Sequence, residues 1–490
     1  MFKEKMKNID KKLCFILIIA FLMRFIGAWE IPTMNVDEGY AFYSAKCLLQ
    51  YGQDIWGHNL PIYSEAWGSG MSMGYIYLSI PFIAIFGKNI LAYRLPMILG
   101  GVLSTFFIYK IGAFKNKKLG YIMALFYGTI PWTVMQQRWG LDCNLFLILF
   151  IPGMYYMLDY LLNNKRKCLY LSLIILGFSL YGYALAYLYV PIFLLIIIIV
   201  LITKKEFKLK DWLFPSIILS IIALPLMIFV LVHMLELNYA EFLIFDLPLL
   251  TRFRSSEIGF TFNNIINFIN LLVFQTDKFT SNTFISTGLM YYITTPLILF
   301  GLILMFIEKN NKINNWMITM FLATLIPPLF LIKYGNANKI MLLTIFISYF
   351  VGLSVQHLHK LNLGKMTQIL PTLLLSIYAF IVSLFFSSYL LNQNAYLSEI
   401  QYTKAPELAP HGMIDVAKYA DEKYPEENKY LYCYEYFSSS LLLAEFDIDP
   451  TSKTDFVEKK YYSKEGNKVL KKDFERIKNF YILVKLKMAN

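Results

Sequence analysis

The sequence is poor in charge, poor in cysteine and free of the short motifs that mark soluble nucleotide or metal enzymes. Only 16% of its 490 residues are Asp, Glu, Lys or Arg. Soluble domains run nearer a quarter, so a cytosolic globular enzyme is disfavoured. The five cysteines, Cys14, Cys47, Cys143, Cys168 and Cys433, are odd in number and scattered without CxxC spacing. Neither a disulfide framework nor a zinc site is supported by that pattern. No HExxH, P-loop or GxGxxG lies in a usable context, no internal repeat is visible and no low-complexity segment interrupts the chain. No small-residue cleavage site follows the apolar run Leu13–Phe21, so the N-terminus reads as a retained first span rather than a removed signal.

What the chain does have is apolar length. It is 57% hydrophobic, with a formal charge of +12. The placement of that charge excludes a phosphate-reading nucleic-acid face. Residues 392–490 hold 15 basic and 16 acidic side chains, so the basic excess lies wholly in the greasy body. Segments long enough to cross a bilayer fall near 13–31, 92–112, 119–136, 141–162, 168–184, 186–203, 212–235, 286–308, 315–333, 340–358 and 366–391. The apolar stretch Met71–Phe86 is a twelfth candidate. Counting it as a span scatters the lysine clusters over both sides. Leaving it out puts 20 of the body's 30 basic residues on one side, which is then the cytoplasm. Met71–Phe86 therefore reads as an interfacial helix.

The expected fold class is an all-α polytopic membrane protein with eleven spans and a cytoplasmic N-terminus. Residues 1–391 form the transmembrane domain, with a first outer loop at 32–91 and a second at 236–285. Residues 392–490 form a small soluble α/β domain on the extracytoplasmic side.

The outer side gathers the acids. Pro32-Thr-Met-Asn-Val-Asp37-Glu38-Gly39-Tyr40 opens the first loop. Asp37 stands where a helix N-cap would, with Glu38 in the first turn. Alternatively, Asp37 is a carboxylate tethered at the membrane surface, where a low dielectric makes it a stronger base toward a hydroxyl. Arg138 and Asp142 flank a tight outer turn after Gln136-Gln137. They either pair across it or face a cavity, as boundary charges often do. Lys339, beside Asn338 in a second outer turn, opposes the positive-inside tendency. Arg252 and Arg254 in the second loop bind an anion or are simply solvated, the latter being favoured. His58 and Glu65 are too isolated to make a metal site, so no cofactor is indicated beyond an open possibility of a divalent cation. A base, a second acid, cations and aromatic neighbours on one face describe sugar transfer from a lipid-phosphate donor.

The same residues carry a resemblance. The chain resembles the GT-C membrane glycosyltransferases, specifically the protein O-mannosyltransferase and aminoarabinose transferase family (glycosyltransferase family 39-like), over roughly residues 10–390. The resemblance rests on Asp37-Glu38 after the first span, the Tyr75–Gly87 segment running into Arg94-Leu95-Pro96, and the Arg138-x-x-x-Asp142 turn. Glu65-Ala-Trp67-Gly-Ser-Gly70 and Asn338-Lys339 look like its Gram-positive branch. It implies two juxtamembrane helices in the first outer loop and a polyprenyl-phosphate sugar donor, with inversion. By resemblance Asp37 is the catalytic base, and Glu38 and Asp142 shape the site. Arg138, Lys339 and Asn338 hold the donor phosphate, and Glu65 and Trp67 belong to a substrate loop. The chain departs from both branches. It lacks the Lys-Pro element of aminoarabinose transferases, and its 236–285 loop is too short for a β-trefoil, so neither branch's acceptor carries over. The expected partners are membrane lipids, the lipid-linked donor and an envelope glycan, lipid or protein acceptor, with no nucleic acid. A flippase for lipid-linked sugars and a non-catalytic assembly protein are the rivals.

Overall fold

The computed structural model describes residues 10–66, 69–237, 241–250, 259–260, 262–277, 282–308, 311–330, 336–361 and 366–392. Trp67, Arg252, Arg254 and the expected α/β domain at 392–490 (all but its first residue) lie outside the described residues. The described residues form two compact units. A helical unit is drawn from 1–32, 94–231 and 254–405, and a loop unit from 33–93 and 232–253.

The helical unit opens with α1 (Lys11–Phe25), capped by Asp10, whose carboxylate accepts from Leu13 N at 3.2 Å. Next come α4 (Ile90–Ala113, beginning in the loop unit), α5 (Lys117–Thr129), α6 (Pro131–Gln136), α7 (Asp142–Asn163), α8 (Arg166–Ser179), α9 (Ala186–Thr203) and α10 (Leu209–Met234). They are followed by α11 (Phe262–Phe274), α12 (Thr295–Ile307), α13 (Lys312–Leu329), α14 (Leu343–Leu358) and α15 (Met366–Phe385). With aliphatic side chains all round, these helices pack through small residues. At Gly301 of α12 an added Cβ would lie 1.9 Å from the Phe350 carbonyl oxygen of α14, so only glycine permits that approach.

The segment expected as one span at 119–136 is two helices. Pro131 lacks an N–H and forces Ile130 into an extended conformation, which ends α5, and Pro131 itself starts α6. The carbonyls freed by this break are each capped. That of Tyr127 accepts from the Thr133 hydroxyl, that of Gly128 from Arg24 Nη1 at 2.8 Å, and that of Thr129 from the Tyr291 hydroxyl at 2.7 Å.

Among the described residues five helical stretches are long and apolar enough to cross a membrane: Ile90–Ala113, Asp142–Asn163, Ala186–Thr203, Leu209–Met234 and Thr372–Leu390. Tyr292–Ile307 and Lys312–Leu329 count as a sixth if they form one bent span. The other apolar segments fold into shorter helices, such as the 15 residues of α1 and the 14 of α8. Among the described residues, helices of crossing length thus cover five of the eleven expected segments, with the bent pair as a sixth span if it is one.

The loop unit contains α2 (Val36–Tyr51), the hairpin β1 (Tyr63–Ala66) and β2 (Ser69–Ser72), α3 (Gly74–Phe86), and a second hairpin, β3 (Glu241–Phe242) and β4 (Phe245–Asp246). In β1–β2, Tyr63 faces Ser72 and Ala66 faces Ser69. The start of the apolar stretch Met71–Phe86 is therefore strand, and only Gly74–Phe86 is helix. Its 13 residues extend about 20 Å, short of a hydrocarbon core of about 30 Å. Two helices, α2 and α3, thus lie in the segment 32–91 expected as the first outer loop, and Tyr75 ties the second of them to the start of α4 by donating to the Tyr93 carbonyl at 2.6 Å.

Candidate functional site

In the loop unit, the cap of α2 is Asn35, not Asp37. The Asn35 side-chain oxygen accepts from Asp37 N at 2.7 Å and from Glu38 N at 3.4 Å. An amide carbonyl accepts these N–H groups without carrying charge, so the carboxylates are released from capping duty. Asp37 and Glu38 both stand in the first turn, where the helix dipole favours an anion. Asp37 is half-buried, whereas Glu38 is fully buried. One turn on, the Tyr40 hydroxyl meets Ser64 Oγ at 3.0 Å and donates to the Glu65 carbonyl. Trp56 Nε1 lies 2.6 Å from that hydroxyl and 2.8 Å from the same carbonyl. The start of α2 is therefore fastened to strand β1, and Asp37, Glu38 and Glu65 belong to one packed body.

The Glu65 carboxyl is pushed above its ordinary value by burial, with His58 opposing and Asp54 reinforcing the shift. His58 does not approach a metal set. Its Nδ1 lies 3.3 Å from Asp54 Oδ2, and Asp54 Oδ1 accepts from Trp56 N and His58 N, both at 2.9 Å. Among the described residues no group of three or more His, Cys, Asp and Glu side chains is placed to hold a metal ion.

In the helical unit, the turn at 136–142 and the turn at 336–339 come together. Gln136 Nε2 donates to Asn338 Oδ1, and also to Asn282 Oδ1 at 3.2 Å. Asn282 donates to Asp277 Oδ2 at 3.0 Å, and that carboxylate oxygen also accepts from Ala337 N at 2.6 Å. The Lys339 backbone is fixed on both sides: its N donates to Asn336 Oδ1 at 3.1 Å, and its carbonyl accepts from the Tyr189 hydroxyl at 2.6 Å. Its side chain stays half-buried. Asp142 is the first residue of α7, half-buried, with its carboxylate on Cys143 N at 2.6 Å.

Arg138, expected as a phosphate ligand, holds backbone carbonyls. Fully buried, its guanidinium donates to the carbonyls of Met23 and Arg24 at 3.1 Å, Ile26 at 2.8 Å and Ile31 at 3.0 Å, with the Tyr389 ring 5.6 Å away. This is a clamp on the end of α1 and on the chain leading toward Asp37. Arg94 grips the same stretch, at the Ala28 and Pro32 carbonyls, at 2.9 and 3.0 Å.

Sequence reasoning passed over Arg24, Asp277 and Asn282. Arg24 was visible as a lone cation inside an apolar run, which by itself marks a special residue. Asp277 stood out only as one of few acids in the body.

The comparisons with known proteins agree with this architecture. Residues 73–233 match the model of the family described as dolichyl-phosphate-mannose-protein mannosyltransferase. Among solved structures, the chain is similar to ArnT from Cupriavidus metallidurans bound to undecaprenyl phosphate. The TM-score is 0.58 at 11% identity, covering 88% of this chain and 83% of that one. It is also similar to the oligosaccharyltransferase AglB from Archaeoglobus fulgidus, in complex with an inhibitory peptide and a dolichol-phosphate. There the TM-score is 0.53 at 12% identity, over 89% of this chain. The chain spans 63% of the length of that archaeal protein. No curated protein matches by sequence. The fold is similar to the folds of these two solved proteins.

Proposed function

We propose that this chain is an integral-membrane glycosyltransferase that moves a sugar from a polyprenyl-phosphate carrier to an acceptor hydroxyl, with inversion, on the outer face of the cytoplasmic membrane. The observation that carries the reading is the first turn of α2. Asn35 takes the cap, and Asp37 is left as a half-buried carboxylate at a helix N-terminus directly after the first apolar helix. Asp37 takes the proton from the acceptor hydroxyl, whose oxygen attacks the anomeric carbon as the carrier phosphate leaves. Lys339 and Asn338 offset charge on that phosphate, and Glu38 of the loop unit and Asp142 of the helical unit are further candidate site residues. Arg138 acts through the segment it grips and is a positioning residue. Glu65 and Trp67 contribute to a substrate loop, with Arg252 and Arg254 as further candidates. The N-terminus is cytoplasmic, and residues 392–490 form the extracytoplasmic domain.

The flippase reading gains one observation, the broken α5–α6 segment beside buried Arg24, since broken helices build transport sites. The carbonyls at that break are taken by Thr133, Arg24 and Tyr291, so they are not offered to a moving ion, and the transferase reading is preferred. Incubation of the purified protein with radiolabelled polyprenyl-phosphate sugars decides between them. Release of free polyprenyl phosphate with label in an acceptor supports transfer. Passage of intact donor across a vesicle bilayer without cleavage overturns it.

A further inference from the structure

We propose that the β3–β4 hairpin is a membrane-dipping wedge, with its Leu243–Ile244 tip seated in the acyl layer of the leaflet reached by the C-terminal end of α10. Two-residue hairpin turns select Asn-Gly, Asp-Gly or Gly because their backbone needs positive φ, and water favours polar groups there. This turn instead holds Leu243 at φ 56° with Ile244 beside it. They are 81% and 69% exposed, Leu243 being the most exposed large apolar side chain among the described residues, and Ile85 and Phe86 at the end of α3 are exposed in the same unit. Leu235, Leu237 and Leu249 around the hairpin are exposed as well, while Leu247 is buried and anchors it.

The position of the root names the occupant. α10 has 26 residues and is one of the helices of crossing length. At about 1.5 Å per residue its length exceeds the roughly 30 Å hydrocarbon core and matches the roughly 40–45 Å that includes both headgroup layers. Its last turn therefore lies among headgroups. Leu250 N donates to His233 Nε2 at 3.0 Å, tying the chain just after the hairpin to that last turn. The hairpin is further pinned to the first outer loop. Asn59 N donates to Asp246 Oδ2 at 2.6 Å, Asp246 N donates to the Asn59 carbonyl and Ile62 N donates to the Asp246 carbonyl, the last two at 3.3 Å. Glu241 and Asp246 face each other at the root, so carboxylates stand at headgroup depth and aliphatic groups stand at the tip. That polarity, apolar tip and charged root, is that of an interfacial insertion.

The test places nitroxide labels on Ile244→Cys and, separately, Glu241→Cys in the full chain. The chains are held in phosphatidylcholine and phosphatidylglycerol nanodiscs, and the parent chain is labelled in parallel to subtract its own cysteines. The expected result is an Ile244 label reached by oxygen several-fold better than by a water-soluble nickel chelate, with the reverse preference at Glu241. An Ile244 label that prefers the nickel chelate, or is shielded from both reagents, overturns the proposal. A variant carrying Leu243→Asn and Ile244→Gly suits the turn better and keeps the hairpin, so its thermal stability in detergent is expected to match the parent. In nanodiscs it should raise nickel access at the Glu241 label. No change at Glu241 with the fold intact also overturns the wedge.

Discussion

Arg138 is where a single side chain holds the most backbone. Its guanidinium satisfies carbonyls at Met23, Arg24, Ile26 and Ile31, which a lysine ammonium cannot fork to reach. Arg138→Lys is therefore expected to lose on the order of 3 kcal/mol, as buried charge-assisted hydrogen bonds go unmade. Thermal unfolding in detergent measures it. Activity should fall in kcat with donor KM nearly unchanged, whereas a rise confined to donor KM would return Arg138 to the phosphate. Glu65 gives a pH-dependent counterpart. Burial raises its folded pKa above the unfolded value of about 4.3, so the carboxylate form weakens the fold as pH rises through the folded pKa. Glu65→Gln should raise the melting temperature at neutral pH, and the gain should vanish near pH 4. A loss at neutral pH would contradict the assignment. At this scale the sequence left Asp37 open between helix cap and general base, and Asn35 takes the cap. Asn35 and Asp37 are both good capping residues, and only backbone geometry tells which one caps.

Helices were legible where apolar runs are long and uncut, as in α4, α7, α9 and α10. They were not legible where a local feature competes with hydrophobicity. Pro131 splits one run, and Tyr63–Ser72 pairs into a hairpin whose second strand takes Met71 and Ser72 from the expected helix. The partners that repair such breaks sit far away in sequence. Arg24 reaches Gly128 across 104 positions and Gln136 reaches Asn338 across 202, which no local pattern reveals. At the start of α1, Asp10 both caps the helix and accepts from the Tyr121 hydroxyl, which holds its carboxyl below the ordinary value. A depressed carboxylate stabilises above its unfolded pKa and ceases to as pH falls. Asp10→Asn retains the cap, so its deficit relative to the parent should be present at neutral pH and shrink below about pH 4. An equal deficit at both pH values would mean that the cap, not the charge, was lost.

Across the molecule, the basic excess serves as more than a topology signal. Lys165 pairs with Asp159 at 3.2 Å, Arg166 with Asp211 at 2.6 Å, and Lys204 lies 4.5 Å over the Trp316 ring. The cations read as cytoplasmic anchors also join helix ends within the helical unit. The proposed base, Asp37, belongs to the loop unit. The most direct test is transfer of labelled sugar from a defined polyprenyl-phosphate donor by the parent chain and by Asp37→Asn, each reconstituted with the same acceptor. The account predicts a loss of about 10²–10⁴-fold in the rate of transfer with donor binding retained, as expected when a general base is removed. Full transfer by Asp37→Asn would contradict it.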